Sequence, residues 1–165
     1  MDRTYNILFL CTGNSARSIM AECLATHLGR GRIAGFSAGS RPVGKVNPFA
    51  VAQLAASGVA ATDLRSKSWD EFARADAPRM DFIVTVCDNA AGEICPHWPG
   101  HPATAHWSFE DPAAVDGTDE DKRAAFAHIY GQIERRIRKF AGLSLETMEP
   151  DAVRAALREI GEAAA

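Results

Sequence analysis

Apolar and polar positions follow two alternating periods along this chain. The run from Tyr5 to Leu10 is mostly apolar, the pattern of a strand buried on both faces. From Ser18 to Leu28 the apolar positions recur every three or four residues, with Met20, Leu24, His27 and Leu28 near one face. This predicts a helix, stopped by Gly29-Arg30-Gly31. A second strand is predicted over Arg32 to Ser37, ended by Ala38-Gly39-Ser40. Asn47-Pro48 opens a second helix that runs to Ser57, with Gly58 as its stop. A short helix is expected from about Ser68 to Ala73, and Asp81 to Val86 reads as a third strand. From Cys87 to about Pro102 the chain carries Pro96, Pro99 and Pro102 and little periodicity, which predicts a long loop. Ala103 to Trp107 reads as a short fourth strand. Asp119 to Phe140 predicts a long amphipathic helix capped by Thr118, with Phe126, Ile129, Ile133, Ile137 and Phe140 on one stripe. A final helix is predicted from Pro150 to Glu162, with Val153, Leu157 and Ile160 on one face.

Strands that alternate with helices imply an α/β fold with a parallel sheet. Ligands of such sheets bind at the carboxyl ends of the strands. Cys11 follows the first strand and Cys87 the third, so neighbouring strands would bring both sulfurs to one rim. A loop as long as the one after Cys87 is uncommon without a role.

Composition narrows the classes. The chain has 165 residues, of which 47% are hydrophobic, enough for one domain with a full core. Its net charge is −3 and it has no basic stripe, which argues against nucleic acid as a partner. No apolar run is long enough to cross a membrane, and Met1 to Asn6 does not read as a signal peptide, so none is expected. The expected location is the cytoplasm, where the four cysteines should be reduced unless they cycle chemically. The chain is expected to act as a monomer.

The chemistry concentrates in Cys11-Thr12-Gly13-Asn14-Ser15-Ala16-Arg17-Ser18, between the first strand and the first helix. A strand feeding a short loop and then a helix aims backbone N–H groups and the positive end of the helix dipole into the loop. A cysteine there is expected to be largely thiolate at neutral pH. Arg17 offers a planar fork for two oxygens of an anion. Gly13 and Asn14 suit unusual loop dihedrals, and Ser15 and Ser18 are expected to cap and to donate hydroxyls. The arrangement is a nucleophile facing a tetrahedral oxyanion. The bland alternative is a buried cysteine ending a strand, with Arg17 merely solvated.

Cys87 and Cys95 add thiols that a phosphatase does not need. They fit a disulfide relay in which a second thiol attacks the first and a third resolves it. Incidental cysteines, or half of a metal site with His97, His101 and His106, are the alternatives, although an eight-residue gap is not a zinc-knuckle spacing. Asp111-Pro112 fixes its aspartate in an extended conformation, and Asp111 suits a general acid that protonates a departing oxygen. Cys23, His27 and His128 are read as packing or surface residues, and Trp69, Trp98 and Trp107 as packing or loop anchors.

Taken in order, these segments resemble the arsenate reductases built on the low-molecular-weight protein tyrosine phosphatase fold, of the thioredoxin-coupled type. The resemblance runs from about Asn6 to Phe140. It rests on the loop from Cys11 to Ser18, on Ser37-Ala38-Gly39, on Val84 to Pro96, on His106-Trp107, on Asp111-Pro112-Ala113 and on Gly117-Thr118. It implies a four-stranded parallel sheet with helices on both faces, in a domain over 1–142; the C-terminal helical extension expected over 143–165 lies outside the resemblance. It implies arsenate as substrate, bound by Thr12, Gly13, Asn14, Ser15, Ala16 and Arg17; neither a cofactor nor a metal is expected in this chain. It also implies that Cys11 attacks arsenate, Ser18 hydrogen-bonds the thiolate and Asp111 assists the departing hydroxide. Cys87 then attacks Cys11, expelling arsenite, and Cys95 attacks Cys87; thioredoxin or another thiol reductant restores the thiols.

The chain departs from that pattern in three places. Ala16 stands where some members carry a second loop cysteine, and the gap between Cys87 and Cys95 is one residue longer than in the best-known members. Some members also bind potassium through an asparagine, a glutamate, a serine and an aspartate; Asn14, Glu22 and Ser37 match, while Lys67 stands at the aspartate. Its ammonium is expected to replace the cation. Two other functions compete. A phosphatase would share Cys11, Arg17 and Asp111, but its relatives commonly place aromatic residues after Asp-Pro, where this chain has Ala113 and Ala114. A non-enzymatic metal- or arsenite-binding thiol module would leave the anion loop unexplained.

Overall fold

The structure is a computed structural model that describes residues 3–61, 63–86 and 102–162. Its elements, in chain order, are β1 (Tyr5–Cys11), α1 (Arg17–Gly29), β2 (Ile33–Gly39), α2 (Pro48–Ala56), α3 (Asp70–Ala73), β3 (Phe82–Thr85) and β4 (Ala103–His106). A 3-10 turn (Pro112–Ala114) follows, and then α4 (Asp119–Ala141) and α5 (Pro150–Glu162). The four strands form one sheet in the order β2-β1-β3-β4. All three pairings are parallel, with Cys11 opposite Gly39 at the end of the β1–β2 ladder.

The apolar run of β1 is explained by its place at the centre. Ile7, Phe9 and Cys11 point into the larger core, shared with α1, α2, α4 and α5. Leu8 and Leu10 point the other way, into a smaller core with Ala38, Trp69, Phe72, Met80 and Ile83. A strand buried on both faces has no reason to alternate polar with apolar residues. The helices therefore lie on both faces of a parallel sheet, in the low-molecular-weight phosphatase-like arrangement expected.

Boundaries shift where local bonding overrides periodicity. β3 is shorter than the apolar run because Asp81 and Val86 bond outside the ladder, Asp81 N to Asn6 O at 2.9 Å and Val86 N to Leu10 O at 2.9 Å. α3 is shorter because Ser68 forms a parallel bridge with Gly39 and its hydroxyl accepts from Asp70 N at 3.1 Å. His27 is exposed and lies off the buried face of α1. α4 opens as expected at Thr118, whose hydroxyl accepts from Asp121 N while the Asp121 carboxylate accepts from Thr118 N. All five residues of its apolar stripe are buried.

The C-terminal helix is built into the main core. Val153, Leu157 and Ile160 are buried there together with Leu145. Trp107, fully buried, donates its indole N–H to Leu157 O at 2.9 Å. Gly161 lets the helix backbone meet the edge strand: a side chain there would sit 2.4 Å from His106 O.

Candidate active site

β1 delivers Cys11, only 4% exposed, to the rim of the sheet, and residues 12–16 turn from it into α1. Asn14 makes the turn in the left-handed region, at φ 47°. Neighbouring segments bind the carbonyls of this loop. Arg41 N donates to Thr12 O at 3.0 Å, and Asn47 N to Ser15 O at 2.9 Å. Gly13 O accepts from Val43 N and from the Ser66 hydroxyl, each at 3.1 Å. In a trans peptide the N–H points opposite to the C=O. With these carbonyls drawn outward, the N–H groups of Gly13, Asn14 and Ala16 turn inward. Gly39 gives the loop room, since a side chain on it would lie 2.4 Å from Thr12 O.

The start of α1 differs from the capping expected of Ser15 and Ser18. Its N-cap is Ala16, no side chain caps it, and no acidic residue lies in its first turn. The first N–H groups of a helix need a partner. A helix start left uncapped by side chains is suited to an external anion.

Arg17 and Asp111 meet at the same opening. Arg17, its side chain 15% exposed, donates through Nη1 to Phe109 O at 3.0 Å. Its Nη2 lies 3.8 Å from Asp111 Oδ2. Asp111 is extended, at φ −80° and ψ 109°, as the following proline requires, and its Oδ1 accepts from Ala113 N at 2.9 Å. Cys11, Thr12 to Ala16, Arg17, Asp111, Val43 and Ala113 line a cavity of about 260 Å³. A thiol at the base, inward N–H groups, a guanidinium fork and a carboxyl at the rim can bind a small tetrahedral oxyanion, attack it and protonate an oxygen that leaves.

A buried polar cluster supports the loop from behind. Asn14, fully buried, donates to the Ser18 hydroxyl at 2.8 Å and to the Ser37 hydroxyl at 3.0 Å, and its Oδ1 accepts from Lys67 N at 2.9 Å. Ser37 donates to Glu22 Oε1 at 2.5 Å. The Lys67 ammonium lies 3.7 Å from the same oxygen and donates to Arg65 O at 3.0 Å. Burial pushes the Glu22 carboxyl up, and it pushes the Lys67 ammonium down, so desolvation outweighs their mutual attraction at this distance. The four residues expected at a potassium site thus do come together. The lysine stands among the oxygens with its own charge, and this donor set does not suit a bound potassium ion.

Residues 6–154 match the family described as low molecular weight phosphotyrosine protein phosphatase. The chain belongs to this family. Within it, the arsenate reductase of Halalkalibacterium halodurans is 38% identical over 135 residues, 82% of this chain and 94% of that protein. A solved arsenate reductase in a phosphate-binding state superposes with a TM-score of 0.68 at 28% identity, over 84% of this chain and 97% of that one. A thioredoxin-dependent arsenate reductase of Corynebacterium glutamicum gives 0.62 at 26% identity, over 84% of this chain and 60% of that one. These relatives place the chain with the arsenate reductases of the family, and it is an enzyme.

The structure gathers Cys11, Thr12 to Ala16, Arg17 and Asp111 around one cavity and puts Ser18 behind the loop, fully buried. Cys87 and Cys95 lie outside the described residues, as do Trp98, His97 and His101. Val86, which immediately precedes Cys87, hydrogen-bonds Leu10, which immediately precedes Cys11, and β1 and β3 are neighbours. Among the described residues no group of histidine, cysteine and carboxylate side chains is arranged to hold a metal ion, and no helix is long and apolar enough to cross a membrane. Cys23 is buried, with its thiol pushed up to about 12 by desolvation and by Glu22, as suits a packing residue. Sequence reasoning missed Val43, Ser66 and Phe109. They act through the loop's carbonyls, the cavity wall and the Arg17 contact, and only the three-dimensional meeting of distant segments reveals them.

Proposed function

We propose that this protein reduces arsenate to arsenite with thiols as the electron source. The observation that carries the reading is the cavity itself. Among the described residues it is lined by a thiol, a guanidinium and a carboxyl group, with Val43 and Ala113, small and apolar, beside them. An inorganic oxyanion fits such walls better than a phosphotyrosine ring, which aromatic residues would grip. The arsenate reductase relatives support the same choice.

In this mechanism Cys11 attacks arsenic(V), held by the inward N–H groups and Arg17. Asp111 gives its proton to the oxygen that leaves as water. The Cys87 thiolate then attacks the Cys11 sulfur. A Cys11–Cys87 disulfide forms, the sulfur–arsenic bond breaks, and arsenic departs with its electron pair as arsenite. Cys95 attacks Cys87, giving a Cys87–Cys95 disulfide and restoring the Cys11 thiol. An external dithiol, thioredoxin or another thiol reductant, returns the two electrons. The reading includes a monomer working in the cytoplasm.

The test is arsenate-dependent oxidation of NADPH in the presence of thioredoxin and its reductase, for the native protein and for Cys11→Ser, Cys87→Ser and Cys95→Ser. Turnover should be lost in each variant. Ester hydrolysis lost only in Cys11→Ser, with no arsenate-dependent oxidation, would show a phosphatase instead. Arsenic binding without turnover would show a thiol-binding module.

A further inference from the structure

The segment after β4 carries Asp111 into the site, and two arginines hold it from different elements. Trp107 N donates to Thr85 O at 2.8 Å and Phe109 N to Val86 O at 3.3 Å, which pins the segment to the end of β3. Arg17, from the start of α1, takes the carbonyl of Phe109. Arg136, from the middle of α4, takes the preceding carbonyl: its Nη1 donates to Ser108 O at 2.9 Å. The Arg136 guanidinium also lies over the Phe109 ring, 4.6 Å from its centroid. Phe109 is 4% exposed and Arg136 only 8%.

The residue type is informative. Burying a guanidinium is costly, and an apolar side chain of similar volume would fill the same space without that penalty. Among the described residues, Arg136 contributes a donor aimed at a backbone carbonyl and a cationic plane against an aromatic face, two constraints on adjacent residues. Together they fix Ser108 and Phe109, and therefore the Phe109 carbonyl on which Arg17 rests. Asp111 follows two residues later, before its proline.

We propose that Arg136 is a positioning residue for Asp111, holding the segment 108–111 so that the carboxyl group stands at the rim beside Arg17. The inference rests on the proposed role of Asp111 as proton donor. Arg136 does not touch the cavity and acts through Ser108 and Phe109.

The test is a double-mutant cycle on kcat/KM for arsenate, with Arg136→Met, Asp111→Asn and the pair, each checked for folding by urea denaturation. Arg136→Met should lower kcat/KM about tenfold when Asp111 is present and less than twofold when Asp111→Asn is already in place. Arg136→Lys, which keeps a donor but loses the planar fork, should recover only part of the loss. An equal factor in both backgrounds, or no loss in the first, would overturn the proposal. Arsenate turnover by the native protein in the same assay reports separately on the proposed function. If it is absent, the cycle is read on hydrolysis of p-nitrophenyl phosphate, where Asp111 would also protonate a departing oxygen, and the same ratios decide. Absence of both activities overturns both readings.

Discussion

Asn14 is where loop geometry and stability can be measured together. Replacing it with alanine removes three hydrogen bonds, to the hydroxyls of Ser18 and Ser37 and from Lys67 N. Each contributes about 1 kcal/mol net, so together about 3 kcal/mol. Alanine must also hold the left-handed backbone at φ 47°, which costs about another 1 kcal/mol. The expected loss for Asn14→Ala is therefore about 4 kcal/mol, a large share of a domain's stability. Asn14→Gly loses the same bonds but adopts the left-handed conformation freely. Less its extra chain entropy, it should be the more stable of the two by about 0.5 kcal/mol or more. Urea unfolding followed by tryptophan fluorescence gives both values, provided the m-value stays constant. A loss below about 1 kcal/mol for Asn14→Ala, or a glycine variant less stable than the alanine one, would refute the assignment of these bonds as the support of the loop.

Three further outcomes follow from the same cluster and its surroundings. Exchange of NaCl for KCl at constant ionic strength should leave the melting temperature and the rate of the native protein unchanged, because the Lys67 ammonium lies beside Glu22; a gain in either with KCl refutes this. Burial raises the Glu22 carboxyl above its usual 4.5, so the folded state binds a proton that the unfolded state has already released, and the stability due to Glu22 falls as pH rises from about 4.5 through the raised value. Stability measured against pH should therefore fall less steeply in Glu22→Gln than in the native protein over that window; parallel curves refute it. Cys23, 7% exposed and with its thiol pushed up to about 12, should resist iodoacetamide in the native protein at pH 8 and react only after unfolding, as mass spectrometry of digested protein would show.

Much of this was readable from the chain because the decisive features are local. The run before Cys11, the polar loop and the following helix lie within one continuous stretch, and the central position of β1 makes its apolar pattern unambiguous. Thr118 and Asp121 mark the start of α4 just as locally. The capping of α1 misled because serines favour helix starts in general, whereas here the start is left to the cavity. What stayed hidden depends on residues far apart in sequence. Ser66 reaches Gly13, and Arg136 reaches Ser108, across distances that no periodicity records. The lengths of β3 and α3 were likewise set by partners in other segments, Asn6, Leu10 and Gly39.

The close approach of Gly161 to the His106 carbonyl has a consequence beyond packing. Unpaired outer strands invite foreign chains to add themselves by backbone pairing, a common origin of aggregation. Where α5 meets the His106 carbonyl at the end of β4, the protein's own helix takes room that a pairing strand would need.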